Sequence, residues 1–276
     1  KKGSMLALLG PNGAGKSTFI NILAGTVVKT SGEVNVWGFN LDKNPRQIRA
    51  SIGIVPQEVN LDPFFNPRKL LELHAGMYGI KKEDRITNDI LKLVSLEKNS
   101  DSYARSLSGG MKRRLLIAKA LVHQPPILIL DEPTAGVDIE IRHSIWKFLE
   151  EINKRGTTII LTSHYLEEVE QLCRNVAIID KGHIITHTSI KKLVAHNNKQ
   201  VFILNLPKSL HKVPTHKEFI FKSIDPDTIQ VELPPESNLN DLFNVLEKEK
   251  IKVVSMRAKT NRIEHQFMSL INGDQL

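Results

Sequence analysis

Short apolar runs alternate with amphipathic stretches over the first two thirds of the chain, and most runs end at a polar or glycine-rich junction. Leu6, Ala7, Leu8 and Leu9 are uninterrupted and stop at Gly10, the pattern of a buried strand. Phe19, Ile20, Ile22 and Leu23 follow at helical spacing until Gly25. Ile52 to Val55, Ile127 to Leu130, Thr157 to Leu161, Val176 to Ile179 and His183 to Thr186 read as further strands. The run EVNVWGFN before Leu41 alternates loosely and predicts one half-exposed antiparallel strand. From Asp62 to His123 helical spacing takes over, with Leu70, Leu71, Leu73 and Met77 on one face and Ile86, Ile90, Leu91, Leu93 and Val94 on another. A helix starting near Gly109 or Gly110 carries Leu115, Leu116, Ala118, Ala120 and Leu121, and Pro125-Pro126 ends it. Residues 139–153 form a helix with Ile141, Ile145, Phe148, Leu149 and Ile152 on one side, closed by Gly156, and Tyr165 to Leu172 form the next. Such β/α alternation implies an α/β fold around a parallel sheet.

The alternation breaks near Ser189, and residues 199–276 read as a separate small α+β domain. Strands are expected at Val201 to Leu206, Glu218 to Lys222, Thr228 to Leu233 and Lys252 to Met256. An amphipathic helix carries Leu239, Leu242, Phe243 and Leu246, and a last helix spans Arg262 to Ile271.

Composition narrows the function classes. The chain has 276 residues, 41% of them hydrophobic, ample for one large domain and a small one. No apolar run approaches the roughly 18 residues of a membrane-crossing helix, and no apolar signal segment precedes the first strand, so a cytoplasmic location is expected. The single cysteine, Cys173, rules out an internal disulfide framework and a cysteine-built metal site; burial near a helix end is its expected role. A net charge of +8 favours anionic partners: nucleotide, nucleic acid or an acidic membrane surface. The basic residues are scattered apart from Lys112-Arg113-Arg114.

Four junctions carry chemistry. Gly10, Pro11, Asn12, Gly13, Ala14, Gly15, Lys16, Ser17 and Thr18 form a P-loop between strand and helix. Its glycines let backbone N–H groups turn toward phosphate oxygens, and the helix adds its positive end. Lys16 reaches the β and γ phosphates, and Ser17 ligates Mg²⁺. The apolar strand ending at Leu130 delivers two adjacent acids: Asp131 suits Mg²⁺ and its water shell, and Glu132 suits orientation and deprotonation of an attacking water. His164, at another strand end, could approach the γ phosphate from a third side, and Gln57 could ligate Mg²⁺ or its water.

GPNGAGKST, Gln57, LSGGM at Leu107 to Met111, ILILDEP, AGVD and His164 stand in the order found in the ABC transporter ATPase family, which residues 3 to about 190 resemble. LSGG before a helix is the decisive element, because ordinary P-loop proteins lack it. The resemblance implies a P-loop NTPase core over residues 1–190, with a helical subdomain at about 62–123. It also implies a head-to-tail homodimer in which Ser108, Gly109 and Gly110 of one subunit cover ATP held by Lys16 and Ser17 of the other. Asp138 then couples the two sites, Gln57 passes nucleotide state to a membrane subunit, and Asp131, Glu132 and His164 match the Mg²⁺ ligand, general base and switch histidine.

Met111 replaces the glutamine more usual after LSGG. The aromatic residue that stacks on adenine in this family lies upstream of the P-loop strand, so no residue here takes that role, and the N-terminal strands are expected to be missing. GMKRRLLIAKAL and NRIEHQFMSLIN look like the ABC-2 exporter branch, which implies a separate transmembrane permease and peripheral attachment to the membrane. The alternative is an ABC ATPase acting on nucleic acid or the ribosome, encouraged by the charge. Chromosome-organising members, however, carry long coiled coils where this chain has about fifty residues, and ribosome-acting members usually carry two cassettes. Nucleic acid is therefore not the expected partner.

Overall fold

A computed structural model describes residues 2–195, 200–210, 213–234 and 237–259. The chain divides into two compact units, Lys1–Thr188 and Ser189–Leu276.

In the first unit, strand β1 (Met5–Leu9) leads through the P-loop into α1 (Lys16–Ala24). A hairpin of β2 (Asn35–Val36) and β3 (Phe39–Asn40) follows, then α2 (Pro45–Ser51) and β4 (Ile52–Val55). The helical insertion contains α3 (Pro67–Met77), α4 (Thr87–Leu93) and α5 (Gly109–Leu121). After it come β5 (Ile127–Asp131), α6 (Ile139–Lys154), β6 (Thr158–Thr162), α7 (Leu166–Leu172), β7 (Asn175–Asp180) and β8 (His183–Ser189). The six-stranded sheet runs β4-β5-β6-β1-β7-β8, and every pairing from β4 across to β7 is parallel. Its central strands read as continuous apolar runs because helices cover both faces. Ala7, Leu9, Leu128, Leu130, Ile159, Leu161, Val176 and Ile178 are almost wholly buried.

Several expectations need correction. EVNVWGFN is not one strand: Trp37 (φ 54°) and Gly38 (φ 86°) form a two-residue turn, both left-handed, and reverse the chain between Val36 and Phe39. Helix α2 escapes the hydrophobic pattern because Ile48 is its one buried apolar residue; Pro45 in its first turn is the signal that remains. On α3, Leu70, Leu71 and Ala75 are buried, whereas Leu73 is 46% and Met77 80% exposed. At about 100° per residue, Leu73 and Met77 lie together on a different side from Leu71 and Ala75. Cys173 is buried beside the end of α7, as expected, and burial pushes its thiol pKa far up.

The second unit begins with α8 (Ile190–Ala195), where the reading predicted no element. Strands β9 (Gln200–Asn205), β10 (Ile220–Asp225) and β11 (Thr228–Leu233) precede α9 (Leu239–Lys248) and β12 (Ser255–Ala258). They form a fully antiparallel sheet in the order β10-β11-β9-β12. Phe202, Leu204, Phe219, Ile229, Val231 and Leu233 pack with Leu242 and Leu246 of α9. A capping box between Asn238 and Asp241 starts that helix. The last strand lies further along than Lys252 to Met256, because Ile251 and Val253 pack against the core before pairing begins. The helix expected at Arg262 to Ile271 lies outside the described residues.

Candidate functional site

Because β4, β5, β6 and β1 are parallel neighbours, their carboxyl ends share one edge of the sheet, and the polar junctions after them converge there. Gly10 closes β1 where the backbone passes β7: a Cβ on it would fall 2.3 Å from the carbonyl oxygen of Ile179. The loop is tied to the rest by Gly182, whose N–H donates to the Ala14 carbonyl at 2.9 Å. Lys16 is 8% exposed and folds back over the loop, with Nζ donating to Gly10 O at 2.6 Å and Pro11 O at 3.0 Å. Burial pushes its pKa down, while the negative charges of Glu132 and Asp131 nearby pull it up. Ser17 and Thr18, in the first turn of α1, are exposed.

At the end of β5, Asp131 and Glu132 follow different paths. Thr162, fully buried at the end of β6, donates its hydroxyl to Asp131 Oδ1 at 2.5 Å and accepts the Glu132 N–H at 3.0 Å. Glu132 has φ 48°, an unusual conformation for a residue with a side chain, which breaks strand alternation just where the second acid is needed. Its carboxylate is held from two sides: His164 Nε2 lies 2.6 Å from Oε1, and Gln57 Nε2 donates to Oε2 at 3.0 Å. The P-loop lysine, the acid pair, Gln57 and His164 are thus gathered at one cleft.

Ser108 caps α5, accepting the Met111 N–H at 3.3 Å, and Gly109 begins the helix. Gly110 is packed so closely on α6 that a Cβ would lie 2.6 Å from the Ile141 side chain. Asp138 occupies the cap position of α6, exposed and with no side-chain capping bond. Among the described residues no hydrogen bond joins Ser108, Gly109, Gly110 or Asp138 to the P-loop of the same chain.

The sequence reading missed three residues. Thr162 was passed over as a polar strand terminus, although a hydroxyl two residues before His164 was its signal. Arg113 was noted only as one of three consecutive basic residues, Lys112-Arg113-Arg114; it is 2% exposed and donates to five backbone carbonyls. Glu168 is fully buried and accepts from Thr134 Oγ1 and Trp146 Nε1, both at 2.9 Å; burial pushes its pKa up against these hydrogen bonds.

A Mg²⁺ ion would find hard oxygen donors in the Ser17 hydroxyl and the Asp131 carboxylate, and the Gln57 amide oxygen stays available while its nitrogen bonds Glu132. Among the described residues no three His, Cys, Asp or Glu side chains converge as a protein-only metal site. The donor set therefore fits a cation completed by phosphate and water.

A phosphate loop, an acid-bearing strand end and a histidine at the carboxyl edge of a parallel sheet define a P-loop nucleotide-binding protein. The ABC transporter family profile matches residues 1–135. The linearmycin resistance ATP-binding protein of Bacillus subtilis is 42% identical over 187 residues, covering 67% of this chain and 60% of that protein. A Nod factor export ATP-binding protein of a Rhizobium species is 36% identical over 251 residues, covering 86% and 83%. Among solved structures, a protein of Clostridium perfringens that is part of an ABC transporter complex superposes with a TM-score of 0.63 at 34% identity, over 71% of this chain and 80% of that one. A dimeric ATP-binding cassette in a post-hydrolysis state with ADP and Pi gives 0.61 at 28%, over 69% and 87%. The chain belongs to the ABC transporter family. It spans 60–64% of the length of several curated relatives it matches, and among its described residues no helix is long and apolar enough to cross a membrane.

Proposed function

We propose that the chain hydrolyses ATP as the cassette subunit of an ABC-2-type exporter, attached peripherally to the cytoplasmic face of a membrane through a separate permease. The observation that carries this reading is Glu132, held by His164 at 2.6 Å and Gln57 at 3.0 Å on the sheet edge that also bears the P-loop. Lys16 and the P-loop N–H groups bind the phosphates; Ser17 and Asp131 would hold Mg²⁺, which would supply positive charge to offset that of the phosphates. Glu132 orients and deprotonates the attacking water, and His164 holds that carboxylate toward the γ phosphate. Ser108, Gly109 and Gly110 complete the site of a second copy, a role for which the exposed Ser108 and Gly109 at the helix start are suited. Export, rather than import, is supported by relatives named for Nod factor export and linearmycin resistance.

Light scattering of Glu132→Gln with and without Mg²⁺-ATP tests the two-site sandwich. A dimer that forms only with nucleotide is the expected result; a persistent monomer that still binds ATP would count against it. Recovery of a permease from membranes under mild detergent tests the partner.

A further inference from the structure

Arg113 is an always-charged group, 2% exposed, in the second turn of the helix that begins at Gly109. Every nitrogen of its guanidinium is engaged. Nε donates to Pro133 O at 2.7 Å, Nη1 to Pro56 O at 2.9 Å and Gln57 O at 2.8 Å, and Nη2 to Asp131 O at 3.0 Å and to Glu132 O. A guanidinium has five N–H donors in a planar fork, so its whole donor capacity goes to main-chain carbonyls of two separate segments. Those segments carry Gln57 and Glu132, whose side chains meet at 3.0 Å. The far side of the same loop is fixed independently, through Thr134 and Glu168. An aliphatic side chain could fill the space without the cost of desolvating a charge; what only the fork supplies is a fixed distance between the two segments and α5.

We propose that Arg113 is a positioning residue for hydrolysis. It pins the carbonyls of Gln57 and Glu132 to the helix that starts at Ser108-Gly109-Gly110, so that the attitude of this helix sets the geometry of the Gln57–Glu132 pair. When a second nucleotide engages the start of α5, the displacement reaches Glu132 through the guanidinium. The proposal rests on the reading of Glu132 as the base. Lysine cannot replace the fork, because a point charge with three donors reaches fewer carbonyls and does not fix their plane.

The test is a double-mutant cycle on the full chain, using single-turnover hydrolysis and equilibrium Mg²⁺-ATP affinity of wild type, Arg113→Gln, Arg113→Lys, Glu132→Gln and Arg113→Gln/Glu132→Gln. Arg113→Gln is expected to keep its ATP Kd within about threefold and to lose at least about tenfold in rate, with Arg113→Lys in between. In the Glu132→Gln background the Arg113 substitution is expected to slow the reaction no further, because its effect runs through that carboxylate. Wild-type rates for Arg113→Gln, an undiminished extra loss in the Glu132→Gln background, or rate and affinity falling together with the melting temperature in both Arg113 variants would each overturn the proposal. A fast Glu132→Gln sinks the base reading and this one with it; a slow Glu132→Gln beside a fast Arg113→Gln sinks this one alone.

Discussion

The two units solve the burial problem differently. In the first, Lys16, Arg113, Thr134, Thr162, Ser163 and Glu168 are all buried, and each lies in or beside the junctions at the carboxyl edge of the sheet. In the second, no described polar or charged residue is buried; its core is Phe202, Leu204, Phe219, Val231, Leu242 and their neighbours. Strand patterns carry the same contrast. Strand β7 is buried at four consecutive positions, as a sheet covered on both faces requires, whereas β11 alternates strictly between buried and half-buried. A buried charge is costly unless its hydrogen bonds are met. The first unit meets that cost where strand ends deliver carbonyls and hydroxyls to one place, and the second has no such edge.

The contrast can be broken by mutation. The largest effect is expected from Glu132→Gln, which should lower the single-turnover rate by about 10²–10⁴-fold while ATP still binds; Lys16→Ala should fail at the binding step itself in a nucleotide titration. In the second unit, Phe219→Ala should destabilise by about 3–5 kcal/mol in a denaturant or calorimetric melt, with ATP affinity unchanged within about twofold. If affinity falls in parallel, the units are not energetically separate.

Thr162→Val should come next: it strips one partner each from Asp131 and the Glu132 N–H, a loss of about 1–3 kcal/mol, read as a slower Mg²⁺-ATP turnover that excess Mg²⁺ does not fully restore.

The smallest effect is on pH stability. Burial, helped by Lys119 and His123, holds the His74 pKa down at about 4. Between its ordinary value of 6.5 and about 4, the unfolded chain takes up a proton that the folded chain refuses. Its contribution is therefore complete above pH 6.5 and is lost as pH falls; since the ring is only half-buried, solvent screening limits it to about 1 kcal/mol. His74→Leu should flatten the melting temperature over that window, and an unchanged slope would assign the acid sensitivity to other groups.

Much of the fold was legible because parallel strands buried on both faces must be apolar throughout. Ile52 to Val55 and Ile127 to Leu130 could hardly be read otherwise, and the helix expected to start near Gly109 or Gly110 begins at Gly109. Where apolar residues were sparse or evenly spread, the pattern misled. Helix α2 has a single buried apolar residue, and the hairpin at Trp37-Gly38 depends on two left-handed residues that hydrophobic spacing does not encode. The residues expected at the cleft were found from their own motifs, and the structure brings Lys16, Gln57, Asp131, Glu132 and His164 together there.

By itself, then, the sequence determined the chemistry available at each strand end: a glycine-rich loop with its lysine, two adjacent acids, a glutamine and a histidine, each placed by a local apolar run. Only the tertiary structure decided which of these touch and what holds them. Parallel order across β4, β5, β6 and β1 put residues as distant as Gln57 and Glu132 within one hydrogen bond. The same packing turned Arg113 from one of three consecutive basic residues into a buried fork on five carbonyls. The physical reason is that a side chain's type is local, whereas its burial and its partners depend on elements that the fold brings in from elsewhere in the chain.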